Sequence, residues 1–122
     1  MSRSLEKAGI ERILPRYQFE ARIKIEVRRG QEVVATEGWT RDLSESGLGA
    51  FVGAELQLGE VATVTIPLGG GDRQIVVPAK VSRNLGTQYG FQFTALSSVQ
   101  REQIRKVLEK SKTIPYSTMA SL

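Results

Sequence analysis

Residues 17–28 read YQFEARIKIEVR, and apolar and polar side chains alternate along the whole segment. An apolar residue stands at every second position from Tyr17 to Val27, which is the period of a β-strand with one buried and one exposed face. Gly30 and Gln31 then give a turn signal, and residues 33–41 are predicted to form a second strand. The two segments are therefore predicted to pair as an antiparallel hairpin.

Further short strands are predicted downstream, at 48–52, 61–68, 74–82 and 89–93, with glycine-rich turn signals between them. Six strands with turns roughly every 8 to 12 residues are typical of a barrel or a sandwich. Near the end of the sequence the period becomes helical, because Val99, Ile104, Val107 and Leu108 form an apolar stripe. Ser97 followed by Gln100 predicts a capping box at the start of that helix.

The composition limits the function classes. The sequence has 122 residues, no Cys and no His, and a net charge of +4. Without thiolates or imidazoles it lacks the commonest nucleophiles, general bases and transition-metal ligands, so we expect no enzymatic activity, no cofactor and no metal site. We also expect one cytoplasmic domain without membrane insertion, since neither a signal peptide nor a transmembrane segment is visible. The basic charge favours an anionic partner.

The first candidate site motif is Arg12-Ile13-Leu14-Pro15-Arg16, just before the first strand. Two guanidinium groups at this spacing can clamp one anion, and each can bind phosphate or the O6/N7 edge of guanine with two hydrogen bonds. The same spacing recurs at Arg101 and Arg105, where both residues are predicted to lie on the exposed face of the helix. The arginine pair alone is therefore weak evidence for a site, since surface charges are usually only solvated.

The second candidate motif is Asp42-Leu43-Ser44-Glu45-Ser46-Gly47, predicted as a turn after the second strand. The Asp42 carboxylate can accept hydrogen bonds from the N1–H and N2–H2 groups of guanine, Ser44 can add a hydroxyl contact, and Gly47 allows close backbone approach. The alternative is a turn that only satisfies its own amides. Arg41 either adds a cation near the ligand or points to solvent.

Together the two motifs resemble the signature of the PilZ family, R-x-x-x-R followed by [D/N]-x-S-x-x-G, in the right order and at about the right separation. The resemblance covers residues 12–110 and includes the closing segment YGFQF at 89–93. It implies an all-β fold, a six-stranded antiparallel β-barrel with a C-terminal α-helix. It leaves residues 1–11 as an N-terminal arm and 111–122 as a flexible tail.

The resemblance further implies a receptor for the bacterial second messenger cyclic di-GMP. Arg12 and Arg16 would wrap the ligand, Asp42 and Ser44 would hold a guanine, and Gly47 would shape the turn. Ordering of the arm on binding would then signal to a protein partner, for instance in motility or exopolysaccharide machinery. Two alternatives stay open: a basic nucleic-acid-binding barrel, which the aromatic content of 7% disfavours, and a PilZ-like interaction module without ligand.

Overall fold

The computed structural model describes residues 15–69 and 73–111. These residues form seven strands and one helix: β1 (Tyr17–Gln18), β2 (Arg22–Arg29), β3 (Glu32–Leu43), β4 (Gly47–Val52), β5 (Val61–Pro67), β6 (Gln74–Leu85), β7 (Gln88–Phe93) and α1 (Ser98–Glu109). All pairings are antiparallel in the order β3-β2-β5-β6-β7-β4, and β4 pairs again with β3. The predicted six-stranded barrel with a C-terminal helix is confirmed, and β1 adds to it by pairing with the end of β3.

The alternation of apolar residues places one face of every barrel strand in a common core. Ile23, Ile25 and Val27 are fully buried, and they share the core with Val64 and Phe91 from other strands. Each buried aliphatic or aromatic side chain contributes about 1.5–3 kcal/mol relative to an exposed one. Packing of the strand faces therefore stabilises the barrel far more than its few exposed ion pairs do.

The prediction of one continuous strand over residues 17–28 was wrong at residues 19–21, where β1 and β2 are separated. The cause is Thr40, a fully buried residue of β3. Its Oγ1 accepts a hydrogen bond from Ala21 N (2.8 Å) and donates to the Phe19 carbonyl (2.6 Å). Two backbone hydrogen bonds, from Phe19 N to the Arg41 carbonyl and from Thr40 N to the Ala21 carbonyl, hold the same segment beside β3. The Thr40 side chain thus fixes the path of the chain from β1 into β2.

Two strands extend further than the sequence pattern predicted. Strand β3 continues through Leu43, so Asp42 lies in a strand and the predicted turn shrinks to residues 44–46. Strand β6 continues to Leu85 because its last residues pair with the start of β7, where Leu85 lies opposite Gln88. The turn between β6 and β7 is therefore confined to Gly86 and Thr87, and Gly86 has the positive φ (66°) that such a turn favours.

Helix α1 begins with the predicted capping box, in which Ser97 and Gln100 each bond the other's backbone N–H. Ile104 and Leu108 are buried in the core, but Val99 is 66% exposed, so its predicted place in the apolar stripe was wrong. At about 100° per residue, Val99 lies roughly 140° around the helix from Ile104. Gln100 Nε2 donates to the Val76 carbonyl, which attaches α1 at the end of the barrel where β6 begins.

Candidate functional site

A cavity of about 290 Å³ lies on the outer face of the barrel, over β4 and β7. Five of the six residues that the sequence singles out line it: Arg16, Arg41, Asp42, Ser44 and Gly47. The sixth, Arg12, lies outside the described residues. The two sequence motifs therefore meet at one surface, insofar as their residues are described.

Arg16 reaches the cavity because β1 pairs with the end of β3, with Gln18 opposite Asp42. Arg16 Nη1 donates a hydrogen bond to Asp42 Oδ1 at 3.0 Å, and the two side chains retain 33% and 13% exposure. This ion pair holds the carboxylate at the edge of the cavity. Both partners stay accessible to a bound molecule.

A β-bulge in β3 places two consecutive side chains in the cavity. Thr40 pairs with Ala50 and Asp42 pairs with Gly49, so Arg41 is an extra residue without a partner on β4. An extra residue of this kind interrupts the alternation of faces. As a result Arg41 and Asp42 both lie on the outer face, while Thr40 and Leu43 are buried on either side of them.

Arg41 is held at the rim of the cavity by two contacts. Its Nη1 donates to Gln88 Oε1 at 2.8 Å, and its guanidinium carbon lies 5.5 Å from the centre of the Phe51 ring. A distance of this size is within the range of a cation–π interaction. The charge of Arg41 therefore lies beside the cavity.

The opposite rim is formed by a second bulge, in β6. Val81 pairs with Phe91 and Arg83 pairs with Gly90, which leaves Ser82 as the extra residue. Ser82 and Arg83 both line the cavity. Three arginines, Arg16, Arg41 and Arg83, thus line a cavity that also contains Asp42.

Glycines form the floor of the cavity. Gly49 on β4 lies directly opposite Gly90 on β7. A Cβ atom at Gly49 would lie 3.0 Å from Asp42 Oδ2, and one at Gly90 would lie 3.1 Å from the Arg83 Cβ. A side chain at either position would therefore crowd the groups that line the site.

Gly47 has a packing role between β4 and β7. A Cβ atom there would overlap the carbonyl oxygen of Phe91 on β7. Its φ is not positive, so the requirement for glycine comes from space and not from backbone conformation. Gly47 lets β4 and β7 pair tightly beneath the cavity.

The loop at residues 44–46 satisfies its own polar groups in this state. Ser44 is buried, its N–H donates to the Gly47 carbonyl (2.9 Å), and its Oγ accepts from Ser46 N (3.2 Å). The Oγ atoms of Ser44 and Ser46 are also 3.1 Å apart. The hydrogen bonds of Ser44 are thus all made within the turn, as in a turn that only satisfies its own polar groups. Ser44 nevertheless also borders the cavity.

The donor set suits an anionic ligand that carries N–H groups. Guanidinium groups pair with phosphate or carbonyl oxygens, and a carboxylate only accepts hydrogen bonds. Within residues 15–69 and 73–111, no group of three acidic, His or Cys side chains is placed to hold a metal ion. The part of the chain that the structure describes also contains no helix long and apolar enough to cross a bilayer.

Residues Gly49, Arg83, Gln88 and Gly90 were not predicted as site residues. Nothing in their local sequence marks them, since they meet only through the register of β4, β6 and β7. The one further signal was the spacing of Gly47 and Gly49, which leaves two alternate positions of one strand without a side chain and so indicates close approach by another group.

Comparison with known proteins decides the family. The model for the PilZ domain matches residues 11–110 of the chain. The chain belongs to the PilZ family. PilZ domains are typically cyclic di-GMP receptor or adaptor modules rather than enzymes. No curated protein matches the chain by sequence.

Solved structures show the same fold. The PilZ domain of CeSA from a cellulose-synthesising bacterium has a TM-score of 0.59 at 16% identity, covering 77% of this chain and 94% of that one. The PilZ domain of Escherichia coli YcgR, solved with cyclic di-GMP, has a TM-score of 0.59 at 16% identity, covering 77% and 86%. The Bacillus subtilis inhibitor of motility, MotI/DgrA, has a TM-score of 0.57 at 17% identity, covering 78% of this chain and 48% of its own.

Proposed function

We propose that this PilZ domain binds cyclic di-GMP in the cavity over β4 and β7 and passes the signal to a protein partner. The observation that carries the proposal is the convergence of Arg16, Arg41 and Asp42 on one glycine-floored cavity. Membership of the PilZ family supports the choice of ligand, as does the YcgR domain solved with cyclic di-GMP.

The Asp42 carboxylate is the proposed acceptor for the N1–H and N2–H2 groups of one guanine. Because Arg16 already donates to Asp42 Oδ1, guanine binding exchanges one donor for another at the same carboxylate. The released Arg16 guanidinium then binds a phosphate or the O6/N7 edge of guanine. The exchange leaves no buried charge without a partner, which keeps its cost low.

Arg41 and Arg12 are the proposed further contacts to the phosphates and the second guanine. Arg41 is already at the rim, and Arg12 is assigned by its place in the motif alone. Ser44 would exchange its contact with Ser46 for one with the ligand. Gly47 would keep β4 and β7 closely paired beneath the ligand. Residues 12–110 are proposed to form the binding domain, with residues 1–11 as the arm and 111–122 as a tail.

Signalling is proposed to follow from the movement of Arg16 and of the arm that precedes it. A ligand can shift a two-state equilibrium only through differential affinity for the two states, and the Arg16 exchange supplies such a difference. We expect the protein to act in the cytoplasm on motility or exopolysaccharide machinery, in line with the names of its structural neighbours. It would act as a receptor without chemistry on the nucleotide.

Calorimetry with cyclic di-GMP, GTP and single-stranded DNA tests this proposal. Saturable binding of the cyclic dinucleotide alone is expected. Salt-sensitive binding of DNA would favour the nucleic-acid alternative, and silence with all three would favour an interaction module without ligand.

A further inference from the structure

Two large aromatic side chains lie side by side on the outer surface, next to the cavity over β4 and β7. Trp39 on β3 pairs with Phe51 on β4 and, on its other side, with Arg22 on β2. Trp39 is 47% exposed and Phe51 is 39% exposed. We call Arg22, Trp39, Phe51 and Arg41 the Trp39 patch.

The Trp39 patch has the composition of a protein-binding surface, whereas single exposed apolar residues scattered over a surface are common and need no such explanation. Trp, Phe and Arg are enriched where proteins bind one another, and tryptophan and arginine are the commonest hot-spot residues of such interfaces. The two rings border a shallow depression that Gly53 and Thr87 also line. An apolar side chain of a partner could pack there against both rings.

The net charge around the rings is positive. Arg22 lies directly beside Trp39, and Arg41 lies over the Phe51 ring. Glu37 also lines the depression, and it is directly opposite Lys24 on β2, so these two charges offset each other. The flanks of the patch therefore carry the excess charge of two guanidinium groups.

We propose that the Trp39 patch is the docking surface for an acidic segment of a partner protein that carries an aromatic or aliphatic anchor residue. The anchor packs on Trp39 and Phe51, while acidic residues on either side of it pair with Arg22 and Arg41. Electrostatic complementarity selects this occupant from the alternatives. The proposal deepens the proposed function by naming the partner surface of the receptor, and to that extent it rests on that function.

Three other occupants fit the patch less well. Single-stranded nucleic acid needs free aromatic faces for base stacking, and the guanidinium of Arg41 covers a face of Phe51. A two-fold contact with a second copy would bring the same arginines of both copies together. The chain's own ends are not acidic, since residues 1–14 carry three basic and two acidic residues and residues 112–122 carry no acidic residue.

The test uses the full chain and a fluorescein-labelled synthetic peptide that alternates glutamate with leucine and phenylalanine. One matched peptide has lysine in place of glutamate, and another has serine in place of the apolar residues. Trp39 is the only Trp of the protein, so its emission reports directly on the patch. Binding is measured without nucleotide, so a negative result would be distinguishable from failure of cyclic di-GMP binding in calorimetry.

The acidic apolar peptide is expected to bind, to shift the Trp39 emission to shorter wavelength, and to bind better than both matched peptides. Trp39→Ser and Arg22→Glu should each weaken binding about tenfold or more, as expected for loss of a hot-spot residue. Val99→Ser is the control, because Val99 is an exposed apolar residue on α1 outside the patch. Circular dichroism on each variant confirms that it is folded.

Three results would overturn the proposal. The first is equal binding of the acidic and basic peptides, or no binding at all. The second is an equal loss in Val99→Ser and Trp39→Ser. The third is a different occupant: an oligonucleotide that shifts the Trp39 emission, or self-association in sedimentation that Trp39→Ser abolishes.

Discussion

Arg16 and Asp42 are joined by an ion pair of 3.0 Å between side chains that are 26 residues apart in the chain. The pair exists because Thr40 bonds the segment between β1 and β2, which sets β1 beside the end of β3. A β-bulge at Arg41 then turns Asp42 to the outer face. The cation from one motif and the carboxylate from the other are thus in direct contact.

Replacing Arg16 should weaken cyclic di-GMP binding. We expect Arg16→Ala to lower the affinity by at least about 1.5 kcal/mol, roughly tenfold, because charge-assisted hydrogen bonds to the ligand are lost. Isothermal titration calorimetry measures the change. Arg101→Ala is the matched control, since Arg101 is exposed on α1 and lies outside the cavity. An equal loss in both variants would indicate a diffuse charge effect in place of a discrete site.

Adding one methyl group to the floor of the cavity should weaken ligand binding. In Gly49→Ala the new Cβ lies 3.0 Å from Asp42 Oδ2, so the carboxylate must shift and the floor rises. We expect a loss of about tenfold or more in affinity, comparable with removal of one charge-assisted hydrogen bond. Gly53→Ala is the control, because nothing lies within 4 Å of a Cβ there. Unchanged affinity in a folded Gly49→Ala protein would place the ligand elsewhere.

Replacing Thr40 should lower both the stability of the fold and the affinity for cyclic di-GMP. Thr40→Val leaves the Ala21 N–H and the Phe19 carbonyl without the hydroxyl that bonds them, which costs about 1–3 kcal/mol of unfolding free energy. Urea denaturation measures this cost, and cyclic di-GMP affinity should fall because β1 no longer holds Arg16 in place. Thr63→Val, on the exposed face of β5, should leave both quantities nearly unchanged. Wild-type stability in Thr40→Val would contradict the role of this side chain.

Glu60 should make stability depend on pH in the acid range. The hydrogen bond from Arg29, and next that from the Gln57 N–H, lower the pKa of Glu60 below its ordinary value of 4.5. The ionised carboxylate therefore stabilises the fold above the unfolded-state pKa, and this contribution is lost as pH falls through the lower pKa of the folded state. Thermal denaturation should show a lower Tm for Glu60→Gln than for wild type near neutral pH, with the difference vanishing in acid.

The matched control for this pH effect is Glu26→Gln, since Glu26 is an exposed carboxylate on β2 outside the Arg29–Glu60 pair. It should show no such pH-dependent difference from wild type. A Tm difference for Glu60→Gln that persisted unchanged at low pH would mean that the effect is not electrostatic.

The architecture was predictable because hydrophobic burial determines it. Alternation over residues 17–28 places Ile23, Ile25 and Val27 in the core, and the helix cap at Ser97 depends on neighbours in sequence. The errors arose where a long-range contact overrides the local pattern. The hydroxyl of Thr40 separates β1 from β2, and pairing with β7 extends β6 to Leu85.

The candidate site was predictable only in part, for the same reason. The motif residues Arg16 and Asp42 could be named because each has distinctive chemistry and a recognisable spacing. The bulges at Arg41 and Ser82 and the facing pair Gly49 and Gly90 depend on strand register, which no local stretch of sequence specifies. The floor and one rim of the cavity therefore emerged only with the fold.

We expect the two motifs to bind one nucleotide together in the cavity over β4 and β7. Amide chemical shifts of the isotope-labelled full chain, recorded during titration with cyclic di-GMP, test it most directly. The largest shifts are expected at Arg16, at residues 41–50 and at residues 88–92, around the cavity. Saturable shifts confined to another face of the barrel, or no shifts at millimolar ligand, would contradict it.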